Sequence, residues 1–251
     1  LVGLAEIEAA ARRLGGVAVP TPLLPAHDLS EEVGAEVRLK CESLQRAGSF
    51  KLRGAWNYVS QLPEERVARG IITYSSGNHA QAVALLGRLR GVRAVVVMPT
   101  DAPEVKRRGA ERLGAELHFE GTTSVERKRR AEEIAGEEGL EIARAWRDVD
   151  LVVSCVGGGG LTSGVAAAVK RLLPHVRVVG VEPEGAASMR AALDHEGPTL
   201  LTEVDTIADG LKPVIAGELT YEHVRELVDA VVTVPDEAIL KATRLLVHRQ
   251  K

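Results

Sequence analysis

The sequence predicts an α/β fold arranged as two three-layer α/β lobes with mainly parallel sheets. Two observations carry that expectation. From Gly70 onward, short apolar runs alternate with helical patterns, and the turns between them are made of glycine, serine, asparagine and proline. Strand and helix alternating at this spacing imply parallel strands joined by crossover helices that cover both faces of each sheet. At 251 residues and 45% hydrophobic content, the chain can bury a substantial core as one large domain or two small ones.

Residues 1–19 read as an amphipathic helix, with Leu4, Ile7, Ala11 and Leu14 on one face, stopped by Gly15-Gly16. Val19-Pro20-Thr21-Pro22-Leu23 cannot be helical, because each proline restricts the residue before it, so it is an extended lead-in. Glu36 to Cys41 alternates as a strand does. Gly48-Ser49-Phe50-Lys51 is then a small-residue turn running into a helix whose apolar positions are Leu52, Ala55, Trp56 and Val59. Three strand-then-helix units follow. Gly70 to Tyr74 leads through Ser75-Ser76-Gly77-Asn78-His79 to a helix carrying Gln81, Val83, Leu86 and Leu89; Ala94 to Met98 leads to a helix over 104–113; Ala115 to Phe119 leads to a charged helix over 123–138. After them, Asp150 to Val156 is nearly all apolar and reads as a strand buried on both faces. Gly157-Gly158-Gly159-Gly160-Leu161 and a helix through Val165, Ala168 and Val169 come next, then a strand over 176–181, a helix over 186–193, a strand over 229–234 and a helix over 236–248. The expected domains are 1–69 with 145–251, discontinuous and holding the cofactor, and a small α/β domain over 70–144. No internal repeat, low-complexity tract or flexible linker interrupts them.

Charge and composition exclude several classes of function. With 32 basic against 35 acidic residues and 3% aromatics, there is neither an electrostatic footprint for nucleic acid nor a stacking platform for single strands. No run has the apolar length of a membrane span, and the opening residues lack a signal-peptide layout, so a cytoplasmic protein without a membrane partner is expected. Cys41 and Cys155 lie far apart in apolar runs and read as buried free thiols, and the seven histidines show no ligand spacing, so no metal is assigned from them.

Three stretches carry chemistry. Lys51 is placed at or near a helix N-terminus, where the partial positive charge disfavours an ammonium, and a neutral lysine is a nucleophile that forms Schiff bases. Taken alone, one lysine reads as a solvated helix charge; the other stretches decide. Four consecutive glycines between a buried strand and a helix cost backbone entropy and pack nothing, so a ligand approaching the backbone accounts for them better than a tight turn does. Free N–H groups at a helix start form an anion cradle, and phosphate is the usual anion. Dinucleotide and P-loop fingerprints fit poorly, because Thr162 occupies the third small position and no Lys-Ser/Thr pair follows, which leaves a smaller phosphorylated ligand. Ser75 to His79 occupy another strand-to-helix turn, where they either cap the helix or meet a ligand at the carboxyl ends of the strands. A Schiff-base lysine, a phosphate cradle and a polar turn have one economical common reading, pyridoxal 5′-phosphate.

In order and context, Ser49 to Ala55, Ser75 to Gln81 and Gly157 to Leu161 resemble three signatures of the fold-type II pyridoxal-phosphate enzymes, in the branch of threonine dehydratase and serine racemase; the implied architecture is like that of the tryptophan synthase β-subunit. Thr21-Pro22-Leu23, the stretch Met98 to Gly114, Gly180 to Glu184 and Thr206 to Gly210 also look like that branch, so the resemblance covers essentially the whole chain. It implies that Lys51 forms the Schiff base and acts as the base at the α-carbon, that Phe50 flanks it, and that Asn78 meets the cofactor's phenolic oxygen. It further implies that Gly157, Gly158, Gly159, Gly160 and Leu161 hold the phosphate, that Ser75, Ser76, Gly77, Asn78 and His79 receive the substrate carboxylate, and that Ser76 exchanges the α-proton on the face opposite the lysine. The implied reaction is dehydration of L-threonine to 2-oxobutanoate and ammonia, with L-serine a poorer substrate, in a homo-oligomer (dimer or tetramer). Serine racemisation, β-replacement and non-catalytic binding of a phosphorylated metabolite are the alternatives.

The sequence also departs from that pattern. Relatives place a Ser or Cys from a glycine-rich C-terminal stretch beside the pyridine nitrogen, whereas this sequence stops at Lys251 after a helix, so that partner and the rest of the large domain are expected beyond it, and biosynthetic and catabolic roles stay unseparated. A segment that relatives carry before Asp150 is skipped, and Ala47 stands where they usually have threonine. Glu182, Ala186 and Ser188 resemble a cation site in which relatives use an acidic residue at the Ser188 position, so no metal is assigned there.

Overall fold

The computed structural model describes residues 1–75, 77–98, 100, 102–119 and 148–249; the helix expected over 123–138 lies outside them. Contacts divide the chain into two compact units, one comprising Leu1–Ile7, Thr21–Cys41 and Ala135–Lys251, the other Glu8–Pro20 and Glu42–Ile134. The sequence predicts 1–69 and 145–251 as one domain; contacts instead group Glu8–Pro20 and the residues from Glu42 onward with the earlier sheet, the latter for a reason visible in the helices described next.

In the second of these units, helices α3 (Lys51–Val59), α4 (Glu64–Ala68), α5 (Asn78–Arg90) and α6 (Glu104–Arg112) accompany strands β3 (Ile71–Tyr74), β4 (Ala94–Met98) and β5 (Glu116–Phe119). The strands form a parallel sheet in the order β3-β4-β5, with Ile71 opposite Ala94 and Val95 opposite Glu116. Helix α5 is buried on two sides. Ala80 and Ala84 face Val96, Met98 and Ala110, whereas Ala82, Val83, Leu85 and Leu86 pack with Leu52, Ala55 and Val59 of α3 and Val67 of α4. Burying those α3 side chains in water's absence is worth roughly 1.5–3 kcal/mol for a Leu or Val, and that contact ties Lys51 to this sheet.

The other unit holds an antiparallel ribbon of β1 (Leu23–Pro25) and β2 (Arg38–Lys40), in which the expected lead-in and the first strand pair with each other, and helix α2 (His27–Val33) between them. Its main sheet is parallel, in the order β6 (Leu151–Cys155), β7 (Arg177–Pro183), β8 (Ala230–Val234). Helices α7 (Gly160–Leu172), α8 (Ser188–Asp194) and α9 (Glu218–Leu227) pack over Val152, Val156, Val178 and Val231; α10 (Asp236–Arg249) follows β8. Two expectations are corrected here. Strand β6 is buried on one face only, since Leu151 is 47% and Val153 57% exposed, and Cys155 shares that face, so its thiol is exposed rather than buried, and Cys41 is half-buried. An apolar run shows that a strand is apolar; it does not show which face a helix reaches. The helix expected from 186 starts at Ser188, with residues 184–186 forming a tighter turn before it.

Candidate active site

Lys51 is the first residue of α3, where the spacing of its apolar partners predicts it. The chain entering that helix is held by buried polar groups. Gln45 Nε2 donates to Val19 O at 2.8 Å, and Gln45 Oε1 accepts from the N–H groups of Val19 and Arg46 at 2.9 and 3.0 Å. Arg53, 2% exposed, lays its guanidinium on Glu42 through two bonds of 2.9 and 2.8 Å. Planar, two-bond pairing of this kind fixes orientation as well as charge. Ala47 and Gly48 both take left-handed backbone conformations, φ 66° and 71°, which an alanine adopts at a cost. Ser49 Oγ is buried with no partner among the described residues, and Lys51 Nζ stands 4.7 Å from the centre of the Phe50 ring.

The polar turn belongs to the same unit. Ser75 N–H donates to Val97 O at 2.9 Å and Ser75 Oγ accepts from Gly77 N–H at 3.3 Å, so the turn is tied to β4 as the chain enters α5 at Asn78. His79 Nδ1 is buried with no partner among the described residues. Burial first, and then the charge of Lys51, hold its imidazole neutral down to about pH 4. That coupling brings Lys51 and His79 into one electrostatic neighbourhood. Asn78 Oδ1 accepts from Lys106 Nζ at 2.7 Å. Ser76 lies outside the described residues.

The glycine turn belongs to the other unit and is built from backbone. Gly159 has φ 88°, and a Cβ there would stand 2.5 Å from Met189 Cε and 2.9 Å from Thr220, so only glycine fits. The carbonyls are turned inward: Gly158 O accepts from Thr220 Oγ1 at 2.6 Å and Gly159 O from Ser163 N–H at 2.9 Å. Among the described residues, none accepts from the N–H groups of residues 157–161, which open α7. Leu161 packs its side chain against the core beneath α7, so what it offers a ligand is its N–H. Carbonyls tied back and N–H groups left over are the donor set an anion needs.

Glu182, Ala186 and Ser188, which resemble a cation site, lie from the end of β7 to the start of α8. Both oxygens of buried Glu182 accept backbone N–H groups, from Met189 at 2.9 Å and Arg190 at 2.8 Å, Ala186 is buried, and Ser188 Oγ is buried with no partner among the described residues. Burial raises the Glu182 carboxyl to about 7 despite those two bonds. Among the described residues no group of three His, Cys, Asp or Glu side chains is placed to hold a metal ion.

The model of one protein family, described as pyridoxal-phosphate dependent enzyme, matches residues 16–140 and 135–251. This chain belongs to that family. An L-threonine ammonia-lyase of Thermotoga maritima is 39% identical over 271 residues, covering 100% of this chain and 68% of that protein. A threonine dehydratase of Nicotiana attenuata is 38% identical over 258 residues, covering 95% of this chain and 43% of that protein, so the chain spans less than half of that relative's length. Among solved structures, maize serine racemase superposes with a TM-score of 0.90 at 34% identity, covering 98% of this chain and 81% of that one. The donor sets fit the family's cofactor: an amine for its aldehyde, and a glycine turn with unused N–H groups for its phosphate. Sequence reasoning missed Lys106, Thr220 and the Arg53–Glu42 pair. Thr220 and Lys106 act across sequence separations that no local pattern reports, whereas Glu42 and Arg53 are close enough in sequence to have been suspected.

Among the described residues, no helix is long and apolar enough to cross a membrane.

Proposed function

We propose that the protein of which this chain is part is a pyridoxal-phosphate-dependent threonine dehydratase that converts L-threonine to 2-oxobutanoate and ammonia, with L-serine a poorer substrate. The observation that carries this reading is the shared neighbourhood of Lys51 and His79: the candidate amine and the turn that would receive the substrate carboxylate belong to one place in one unit.

Lys51 would hold the cofactor through its amine, Asn78 would meet the phenolic oxygen, Phe50 would flank the lysine, and the N–H groups of Gly157 to Leu161 would bind the phosphate. When bound, the cofactor supplies an electron sink that stabilises the negative charge left at the α-carbon. The chain's own work is then to bind and to move protons. The helix start at Asn78 favours a carboxylate, because the helix presents its positive end there. Neutral His79 can offer a hydrogen bond without placing a second cation beside Lys51, and the Lys51 amine, once displaced by the substrate's amino group, would take the α-proton at Nζ. The β-hydroxyl leaves as water and one water is taken up again when the released enamine hydrolyses to 2-oxobutanoate and ammonia, so threonine balances against those two products with no net water. Borohydride should fix the cofactor onto Lys51, and Lys51→Ala should abolish 2-oxobutanoate formation; a Lys51→Ala protein that keeps the activity ends the assignment.

The likeness to maize serine racemase favours a second reading, racemisation of serine with Ser76 as the opposing acid. Chiral analysis of the products from L-serine separates them, since D-serine in excess of pyruvate supports racemisation. The family resemblance also implies a cytoplasmic homo-oligomer, which cell fractionation and analytical ultracentrifugation check.

A further inference from the structure

The bond from Lys106 Nζ to Asn78 Oδ1, 2.7 Å long, determines more than a contact. A lysine carries three donors and no acceptor, so the Asn78 amide must turn its oxygen towards Lys106 and its Nδ2 away. Asn78 is the first residue of α5, and Gly77 before it supplies no capping side chain, so the amide sits at the N-terminal end of a helix. A donor next to an ammonium and the positive end of a helix suits an oxygen that carries negative charge.

The reach of Lys106 is set by how closely α5 and α6 approach. One turn further along each helix, Gly109 lies against Gln81, and a methyl group at position 109 would stand 2.6 Å from Gln81 Nε2. Asn78 and Gln81 are three positions apart, as are Lys106 and Gly109, so the two contacts run in step along helices pointing the same way. Buried Ala80, Ala84 and Ala110 complete the close face. In the sequence, Lys106-Arg107-Arg108 resembles an ordinary solvated charge run. The missing side chain at Gly109 is what brings one of those charges to Asn78.

The geometry points to Lys106 as a positioning residue for the cofactor: by holding Asn78 Oδ1, it presents Nδ2 to the phenolic oxygen of bound pyridoxal phosphate and adds positive charge beside it. This rests on the reading in which Asn78 meets that oxygen. The experiment titrates cofactor-free full-length protein with pyridoxal 5′-phosphate, following the dissociation constant and the absorption maximum of the bound cofactor. Lys106→Met should weaken binding about tenfold and move the maximum, since a charge-assisted bond is lost. Lys106→Arg keeps the donors and should stay within about threefold, whereas Lys106→Glu turns the amide round and should weaken binding about a hundredfold. On an Asn78→Ala background the Lys106→Met step should shrink to the part that the charge alone carries. A lysine that only supports the fold would instead shift the melting of the cofactor-free protein and give no ordering of Arg, Met and Glu. The inference is overturned if Lys106→Met binds and absorbs as the parent does, or loses as much without Asn78. A parent protein that takes up no cofactor overturns the underlying reading, and this role with it, before any variant is made.

Discussion

The two strand-to-helix turns are built from opposite materials. Between β3 and α5 the chain uses side chains: Ser75 Oγ receives the Gly77 N–H, Asn78 is oriented by Lys106, and His79 is buried neutral beside Lys51. Between β6 and α7 it uses backbone alone, with carbonyls tied to Thr220 and Ser163 and N–H groups left over. The difference teaches how each can be broken. A side-chain turn fails when a side chain is removed, whereas a backbone turn has nothing to remove and fails when one is added.

Gly159→Ala is therefore the harshest test. Its backbone is left-handed, and the new methyl would meet Met189 and Thr220 within 3 Å, so we expect a loss of about 3 kcal/mol or more in thermal unfolding. Gly157→Ala, two residues away, meets Pro213 at 3.5 Å and Gly210 O at 3.6 Å, both ordinary contacts, and should change stability by less than about 0.5 kcal/mol while weakening cofactor uptake. Gly77→Ala, in the other turn, finds open space and should also fold normally. If Gly159→Ala proves as stable as either, the contrast between the turns is mistaken.

These turns show what the sequence makes legible. Four glycines after an apolar run cannot be explained by packing, so the backbone turn announces itself, and Lys51 falls at the head of its helix as the spacing of Leu52, Ala55 and Val59 requires. The partners of such groups are another matter. Helix α3 packs on α5 because Leu52 and Val59 meet Val83 and Leu86, and no periodicity within α3 names the helix it will meet. The inward carbonyl of Gly158 depends on Thr220, sixty-two positions away, and α9, which carries Thr220, was read as no element at all. Local physics sets the periods; tertiary contact chooses the pairings, and chemistry held by a distant side chain stays hidden until the fold is known.

The entry to Lys51 offers the next test, since here the side-chain unit should be fragile to deletion. Removing the guanidinium with Arg53→Met takes two charged bonds from a Glu42 carboxylate that is only 12% exposed, and we expect a loss of about 2–3 kcal/mol in chemical denaturation. Arg53→Met with Glu42→Leu should recover most of it, because a neutral apolar pair carries no uncompensated charge. A double variant no more stable than the single one would show that the arginine acts by filling space.

The smallest effects distinguish the units by pH. Glu182, beneath α8, has its folded pKa raised from 4.5 to about 7, so between those values the folded state keeps a proton that the unfolded state has released. Its contribution to stability is present at acid pH and declines as pH rises through about 7. His79 is the reverse. Its folded pKa falls from 6.5 to about 4, so the unfolded state binds the extra proton, and stability gained at neutral pH is lost as pH falls through that window. The two slopes oppose one another between pH 4.5 and 6.5, and each should be worth about 1 kcal/mol once partial solvation is allowed for. Glu182→Gln should therefore make melting temperature climb more steeply across that range than in the parent, and His79→Asn should flatten or invert the climb. Only the slopes are compared, so a uniform loss of stability from either substitution does not disturb the reading. Should both variants keep the parent's slope, the buried carboxyl and the buried imidazole are better solvated than their surroundings indicate, and the contrast between an acid-favouring unit and a neutral-favouring one is lost.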